Sequence, residues 1–353
     1  MNILLDEQQE LAVKTNKKKV LVASAAGAGK TTVITERLKY LLNKGENPKN
    51  IYAITYTNNA AQEMRERINN SEIFIGTIHS FANFILLSNG VDTSEYLEEE
   101  EFDYLFEMVK EKNVSLPEVD HLLIDEFQDI CENEYEFTME TLTPKNFFVV
   151  GDSCQSIYGY KGSNYKYFIR LINDPTTYVY ELNNNYRCGE NIVDYANNFL
   201  KNMRDVYKIK VQCVREDKGR VYTEHFSYSK VISILDENKD YKDWFVLCRT
   251  NTQIQEMCSI LDKSHIPNIT FKKGDLSKEE IEKILNSNVV KVLTIHSAKG
   301  LEAKNVMVVG AKGWNPEELR VCYVAATRAR DNLYWFTAPN KVKLRKDNFI
   351  NWN

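Results

Sequence analysis

No apolar run in this chain approaches the roughly 20 residues that a membrane-spanning helix needs. The start, Met1 to Glu10, lacks the charged and then apolar pattern of a secretory leader. Cysteine is sparse. There are seven, an odd number, without the spacing of metal ligands, so neither a disulfide framework nor a zinc module is expected. These absences point to a cytoplasmic protein with free thiols and no membrane partner. A short repeat, a low-complexity tract or a long flexible linker is not expected either. Excess positive charge is also missing: the net charge is -5. A nucleic-acid partner would then need a local groove rather than a basic surface overall. Basic residues do cluster at Lys14, Lys17, Lys18 and Lys19, and at Lys341, Lys343, Arg345 and Lys346. Both clusters read as solvated surface.

What is present is the pattern of an α/β protein. The 353 residues are enough for two domains. "KVLVASAA", "IYAITYT", "IFIGTIHS", "HLLIDE" and "NFFVVGD" read as strands, with helical patterns between several of them. These strands are apolar throughout rather than alternating, which predicts parallel sheets covered on both faces. The second half repeats the texture with "VYELN", "RVYTEHF", "DWFVLCRT", "VVKVLTIHS", "NVMVVG" and "NLYWFTA". The break is placed near Asp174-Pro175, giving domains 1–175 and 176–353. The acidic stretch from Gly90 to Lys112 is expected to be helical and exposed, and Glu98 to Glu101 to form a solvated acidic face.

"SAAGAGKTT", Ser24 to Thr32, sits between a strand and an amphipathic helix. In that context Gly-Lys-Thr reads as a phosphate-binding loop, although Ser24 stands where the usual pattern begins with glycine. Backbone N–H groups from Gly27 through Ala28 and Gly29 to Lys30 would face phosphates. Lys30 would reach the β- and γ-phosphates of ATP, and Thr31 would hold Mg²⁺, with Thr32 beside it. Asp125 and Glu126 close the apolar run Leu122-Leu123-Ile124. Asp125 is expected at the metal or its water, and Glu126 at the metal or as the base that orients the attacking water. Arg187 and Arg328 are expected outside the core, because an unpaired buried guanidinium is costly. Surface salt bridges and contacts to a γ-phosphate both remain open for them.

Taken in order, these motifs resemble the UvrD/Rep/PcrA branch of superfamily 1 DNA helicases. The likeness runs from "LDEQQELAV" through "AGAGKT", "AITYTNNAAQEMRERI", "GTIHSF", "LIDEFQD", "VVGDSCQSIYGYKG" and "LNNNYRCGENI". It continues through "LCRTN" and "VLTIHSAKGLEAKNV" to "VCYVAATRARDNLYW". The resemblance implies two RecA-like P-loop NTPase domains that close on ATP and walk 3′ to 5′ along single-stranded DNA. It implies that Gln9 reads adenine, Tyr186 stacks on the base and Gln155 senses the γ-phosphate. Arg187 and Arg328 become arginine fingers. Glu302 lies near the ribose or the coupling network, and His296 links the ATP and DNA sites. On the DNA side stand Tyr56, Thr57, Asn58, Thr77, His79, Tyr158, Tyr160 and Lys161. Aromatic rings there would stack on successive bases, and the polar groups would bond phosphates.

Some positions depart from the family pattern. Tyr56 replaces Phe, Asn59 replaces Lys, and Tyr160-Lys161-Gly162 replaces Trp-Arg-Gly. Ala303 and Lys304 follow Leu-Glu where an aromatic is usual. The family's two large helical insertions are reduced to short segments, at about 85–120 and 252–288. Three functions follow in order. The first is a translocase or helicase on single strands and strand junctions. The second is a single-strand-stimulated ATPase serving a nuclease in repair or phage defence. The third is a P-loop protein that handles no nucleic acid, which the aromatic and "TIHS" segments oppose.

Overall fold

Strand segments such as Lys19–Ser24 and His121–Ile124 bury nearly every residue, because a sheet covered on both faces has no wet side. The computed structural model describes residues 4–99, 102–204 and 206–337, without the side chains of residues 161 and 273. The C-terminal basic cluster and part of the acidic run at Glu98 to Glu101 lie outside these residues. Within them the chain forms two compact units.

The first unit holds β1 (Lys19–Ser24), β2 (Ile51–Thr55), β3 (Phe74–Thr77), β4 (His121–Ile124), β5 (Asn146–Gly151) and β6 (Tyr178–Leu182). Their order across the sheet is β3-β2-β4-β5-β1-β6, with every pairing parallel. Helices α1 (Glu7–Lys14), α2 (Lys30–Asn43), α3 (Asn58–Ile68), α4 (Ile78–Ser88), α5 (Ser94–Glu98), α6 (Tyr104–Glu111), α7 (Glu132–Tyr135) and α8 (Lys166–Asn173) make the connections. The expected break near Asp174-Pro175 precedes β6. That strand, read from sequence as part of the second half, pairs with β1, and the unit continues through Leu182.

The acidic stretch is less exposed than its composition implies. Helix α6 buries Leu105, Phe106, Met108 and Val109, and the Phe106 ring lies 5.0 Å from that of Phe137. Its charges occupy one face only, so an apolar stripe remains for the core.

The second unit holds a small parallel ribbon of β7 (Asn184–Asn185) and β8 (Gln212–Cys213). Its main sheet contains β9 (Arg220–His225), β10 (Trp244–Cys248), β11 (Asn268–Ile269), β12 (Val290–Thr294), β13 (Ala303–Val309) and β14 (Ala329–Thr337). The order is β11-β12-β10-β13-β14-β9, again parallel throughout. Helices α9 (Glu190–Asn202), α10 (Tyr228–Asp236), α11 (Asn251–Lys263), α12 (Lys278–Asn286) and α13 (Pro316–Ala326) pack around it. The stretch 252–288, read from sequence as the remnant of an insertion, is largely part of this domain's own core. Ile254, Met257, Leu261 and Ile266 join the buried cluster, and β11 forms the sheet edge. Among the described residues no helix is long and apolar enough to cross a membrane.

Candidate functional site

Parallel sheets gather loops at the carboxyl ends of their strands, where ligands bind in open α/β folds. The loop after β1 turns through Gly27 and Gly29, at φ 72° and 81°. Such angles suit glycine, and space demands it as well. A Cβ on Gly29 would stand 2.9 Å from Gln9 Nε2. Gln9 is fixed over this point by a capping box: its N–H donates to Asp6 Oδ1 at 2.7 Å, and its Oε1 accepts the Asp6 N–H at 3.1 Å. Gly29 caps α2, whose first residues are Lys30, Thr31 and Thr32.

Lys30 Nζ lies 3.6 Å from Glu126 Oε2, and the Thr31 hydroxyl donates to Asp125 Oδ2 at 3.3 Å. Asp125 is buried at the end of β4 and accepts the Glu126 N–H at 2.8 Å. Burial, then the neighbouring Glu126 charge, pushes its carboxyl up to about 7, with Lys30 opposing. Glu126 itself adopts a left-handed backbone, φ 52°, uncommon for a residue with a side chain. From it runs a chain of hydrogen bonds. Gln128 Nε2 donates to Glu126 Oε2 at 2.6 Å, and Gln128 Oε1 accepts the Asp152 N–H at 2.8 Å. Gln155 Nε2 donates to Asp152 Oδ2 at 2.7 Å. Burial raises Asp152 above the usual carboxylate range. The structure therefore gathers Lys30, Thr31, Asp125, Glu126 and Gln155, and adds Gln128, which the sequence reading passed over.

Residues Ala25–Ala28 group with the second unit. There Asn185, also passed over in the sequence, is the organising side chain. Its Nδ2 donates to the Ala26 carbonyl at 2.7 Å, and its Oδ1 accepts the N–H groups of Arg187 at 2.9 Å and Cys188 at 2.7 Å. The Tyr186 N–H donates to the Gly27 carbonyl at 3.0 Å, and the residue is 45% exposed. Arg187 Nε pairs with Glu302 Oε2 at 2.5 Å.

Arg328 corrects the expectation that it lies outside the core, since it is only 1% exposed. That expectation assumed an unpaired guanidinium. Nε donates to the Val324 carbonyl at 2.9 Å, Nη1 to the Leu301 carbonyl at 3.1 Å and Nη2 to Thr327 Oγ1 at 3.0 Å. These neutral acceptors offset the cost of burying its charge.

Several of the residues expected on the DNA side contact one another. Tyr56 and Tyr158 stack on each other, centroids 5.6 Å apart and planes 13° apart. Tyr160 lies edge-on to Tyr158 and is 65% exposed. The side chain of Lys161 lies outside the described residues. Thr57 caps α3 and Thr77 caps α4, accepting the N–H groups of Ala60 and Ser80, each at 3.2 Å. A capping hydroxyl keeps its own O–H to donate. Asn58 begins α3 beside the first cap, and His79 Nε2 lies 3.2 Å from Asp103 Oδ1.

A repeat missed in the sequence emerges from these positions. "TN" followed three residues later by "QEM" occurs at Thr57-Asn58 and at Thr250-Asn251, and "TIHS" occurs at Thr77 to Ser80 and at Thr294 to Ser297. Each copy follows the corresponding pair of neighbouring strands, β2 and β3 in one sheet, β10 and β12 in the other. The caps repeat as well. Thr250 accepts the Gln253 N–H at 3.2 Å, and Thr294 accepts the Ser297 N–H at 3.0 Å. His296 sits in the second copy where His79 sits in the first. The copies share too few identical residues to announce themselves without the strands that frame them.

The family model for the UvrD/REP helicase N-terminal domain matches residues 5–116 and 116–176. The model for the UvrD-like helicase C-terminal domain matches 180–287 and 271–339. A probable DNA helicase of Mycoplasma pneumoniae is 26% identical, covering 94% of this chain and 82% of its own length. A probable DNA helicase II homolog of Mycoplasma capricolum is 28% identical over 75% of this chain. The ATP-dependent DNA helicase PcrA of Leuconostoc citreum is 26% identical over 74% of it. The chain spans about half the length of these last two relatives, 51% and 49%.

Proposed function

Since the chain belongs to the UvrD/Rep helicase family, we propose that it is an ATP-driven motor that moves 3′ to 5′ along single-stranded DNA. The observation that carries the reading is the meeting of Lys30, Thr31, Asp125 and Glu126 at the ends of β1 and β4. A hydroxyl and a carboxylate 3.3 Å apart suit Mg²⁺, which takes few protein ligands and keeps waters and phosphate oxygens. Bound there, Mg²⁺ would neutralise charge on the transferring phosphate. Lys30 would take the phosphates. Glu126, oriented by Gln128, would hold the attacking water and accept its proton. Gln9 would select adenine and Tyr186 would cover the base. Gln155 would report the γ-phosphate to Asp152, and Arg187 and Arg328 would stabilise the developing charge. Glu302, which holds Arg187, would release it on closure. Tyr160, the capping threonines, Asn58, His79 and His296 would line the strand path without reading sequence.

A second reading is favoured by one observation: little in either unit stands apart from the core as an inserted subdomain. The segment at 85–120 starts within α4 and packs inward through α6, and 252–288 builds its own sheet. On this reading the chain is a single-strand-stimulated ATPase that opens long duplex poorly unless a partner joins it, such as a nuclease of repair or phage defence. Each base-pair step opposes opening by about 1.4 kcal/mol, so few contacts at the junction tell quickly.

One experiment separates the two. Unwinding of 3′-tailed duplexes is followed as their length rises from roughly 12 base pairs to several tens, with ATP turnover recorded in parallel. Processive opening of the longest duplex by the chain alone supports the helicase. Strong single-strand-stimulated turnover with collapsing unwinding supports the partner-dependent ATPase. Turnover indifferent to single-stranded DNA removes both.

A further inference from the structure

We propose that Arg215 is the positioning residue that sets Arg187 relative to the segment following Arg328, and that the chemical step depends on it; this rests on the reading of both arginines as phosphate-facing groups. Arg215 sits in "VREDKG", a charged loop whose composition announces only solvent exposure. Its guanidinium is instead a three-way tie within the second unit. Nη1 donates to the carbonyl of Arg187 at 2.5 Å and to the carbonyl of Arg330 at 3.1 Å. Nη2 donates to Asp331 Oδ1 at 2.8 Å. One planar group thus bonds the backbone of one proposed finger and the backbone two residues beyond the other.

The surroundings stiffen this tie. Arg215 follows β8, which pairs with β7 so that Cys213 stands opposite Asn185. Asn185 Oδ1 in turn holds the N–H of Arg187. Arg187 is therefore gripped on both sides of its Cα, by Asn185 at its nitrogen and by Arg215 at its carbonyl. The Gly189 N–H adds a direct bond to the Arg330 carbonyl at 2.9 Å. Asp331 holds the Arg215 charge against the pull of desolvation, and raises its pKa above the usual arginine range. An exposed ion pair alone would be worth little. Three bonds to two separate segments make a geometric constraint, and a fork of fixed planar donors is what such a constraint needs. Lysine has a single ammonium and cannot span the same acceptors.

A misplacement of about 1 Å at a catalytic group costs up to roughly 100-fold in rate. The expected signature of Arg215→Ala is accordingly a fall of about 10-fold or more in single-strand-stimulated kcat. Affinity for ATP, read by a fluorescent analogue, should stay within about twofold. Arg215→Lys should fall between Ala and the parent chain.

The deciding experiment is a double-mutant cycle with Arg187→Ala, on the full chain, with thermal unfolding recorded for each variant. If Arg215 acts through Arg187, the double variant loses hardly more kcat than Arg187→Ala alone. Losses that multiply independently overturn the proposal, as does unchanged kcat in a folded Arg215→Ala. Should Arg215→Ala fail to fold, Arg215→Lys is carried through the same cycle and decides by the same two outcomes. Arg187→Ala with undiminished turnover removes the role given to Arg187 and, with it, the proposal. Absence of single-strand-stimulated hydrolysis in the parent chain is a different failure, that of the motor reading itself.

Discussion

Gln128 holds Glu126 and the backbone at Asp152 at once, donating Nε2 to Glu126 Oε2 at 2.6 Å and accepting the Asp152 N–H on Oε1 at 2.8 Å. It is fully buried, so its bond to the Asp152 N–H is made without competition from water. Gln128→Ala leaves the Asp152 N–H without its acceptor and Glu126 without its guide. Urea unfolding should show a loss of about 1–3 kcal/mol. Steady-state hydrolysis should fall about 10-fold or more. Unchanged turnover would show that Glu126 needs no orientation from this side.

Lys30→Ala should remove most hydrolysis and weaken nucleotide binding, since no other cation begins α2. Glu126→Gln should retain Mg-ATP binding while turnover falls by roughly 10²-fold, the scale of losing a general base. Turnover should fall in both variants, and equilibrium binding of the nucleotide should separate them. Loss of Mg-ATP binding in Glu126→Gln would assign that residue to the metal instead.

Gly29→Ala meets two obstacles, a left-handed backbone at φ 81° and Gln9 Nε2 at 2.9 Å from the new Cβ. Strain of this kind costs about 1–2 kcal/mol, and Gln9 must shift. The variant should hydrolyse ATP slowly. Its preference for ATP over GTP should narrow, because the side chain proposed to read adenine is displaced. Competition between the two nucleotides for binding measures this, and an unaltered preference would exclude Gln9 from base selection.

Lys291 offers a pH test away from the site. Its amine is buried, donating to the carbonyls of Lys242 and Ser287, and burial lowers it from the usual lysine value to about 8. The folded state therefore disfavours the charged form. The resulting stability is present in full above the unfolded pKa, near 10.4, and is lost as pH falls through about 8. Relative to Lys291→Met, the parent chain should gain stability as pH rises from 8 towards 10.4. Parallel stability curves for the two proteins over that window would show that the amine stays charged when folded.

Much of this was legible in the sequence because it is local. A strand, two glycines, Lys30-Thr31 and an amphipathic helix occupy one continuous stretch, and their spacing alone predicts the phosphate loop. The apolar run before Asp125 likewise announces a buried strand with a polar end. Long-range choices were not legible. The tie of β6 to β1 joins residues far apart in sequence, and composition does not say which sheet a strand enters. Arg328 was placed outside the core because charge was weighed against burial without knowledge of which carbonyls would face it. The stacking of Tyr56 on Tyr158 was not legible either, since nothing in their spacing shows that contact. Gln128, Asn185 and Arg215 act through bonds to distant backbone, and side-chain type alone gives no sign of that.

Strand β1 lies between β5 and β6, and both of its partners come later in the chain. On the ribosome, β2, β3 and β4 can pair as soon as they emerge, while β1 waits with both edges open. Its first neighbour starts at Asn146 and its second ends at Leu182. The loop after β1 therefore gains its support last, although it is made almost first. A nascent chain stalled before β5 would have a partial sheet and an apolar strand exposed to whatever binds such edges, and no place for a nucleotide to stabilise it.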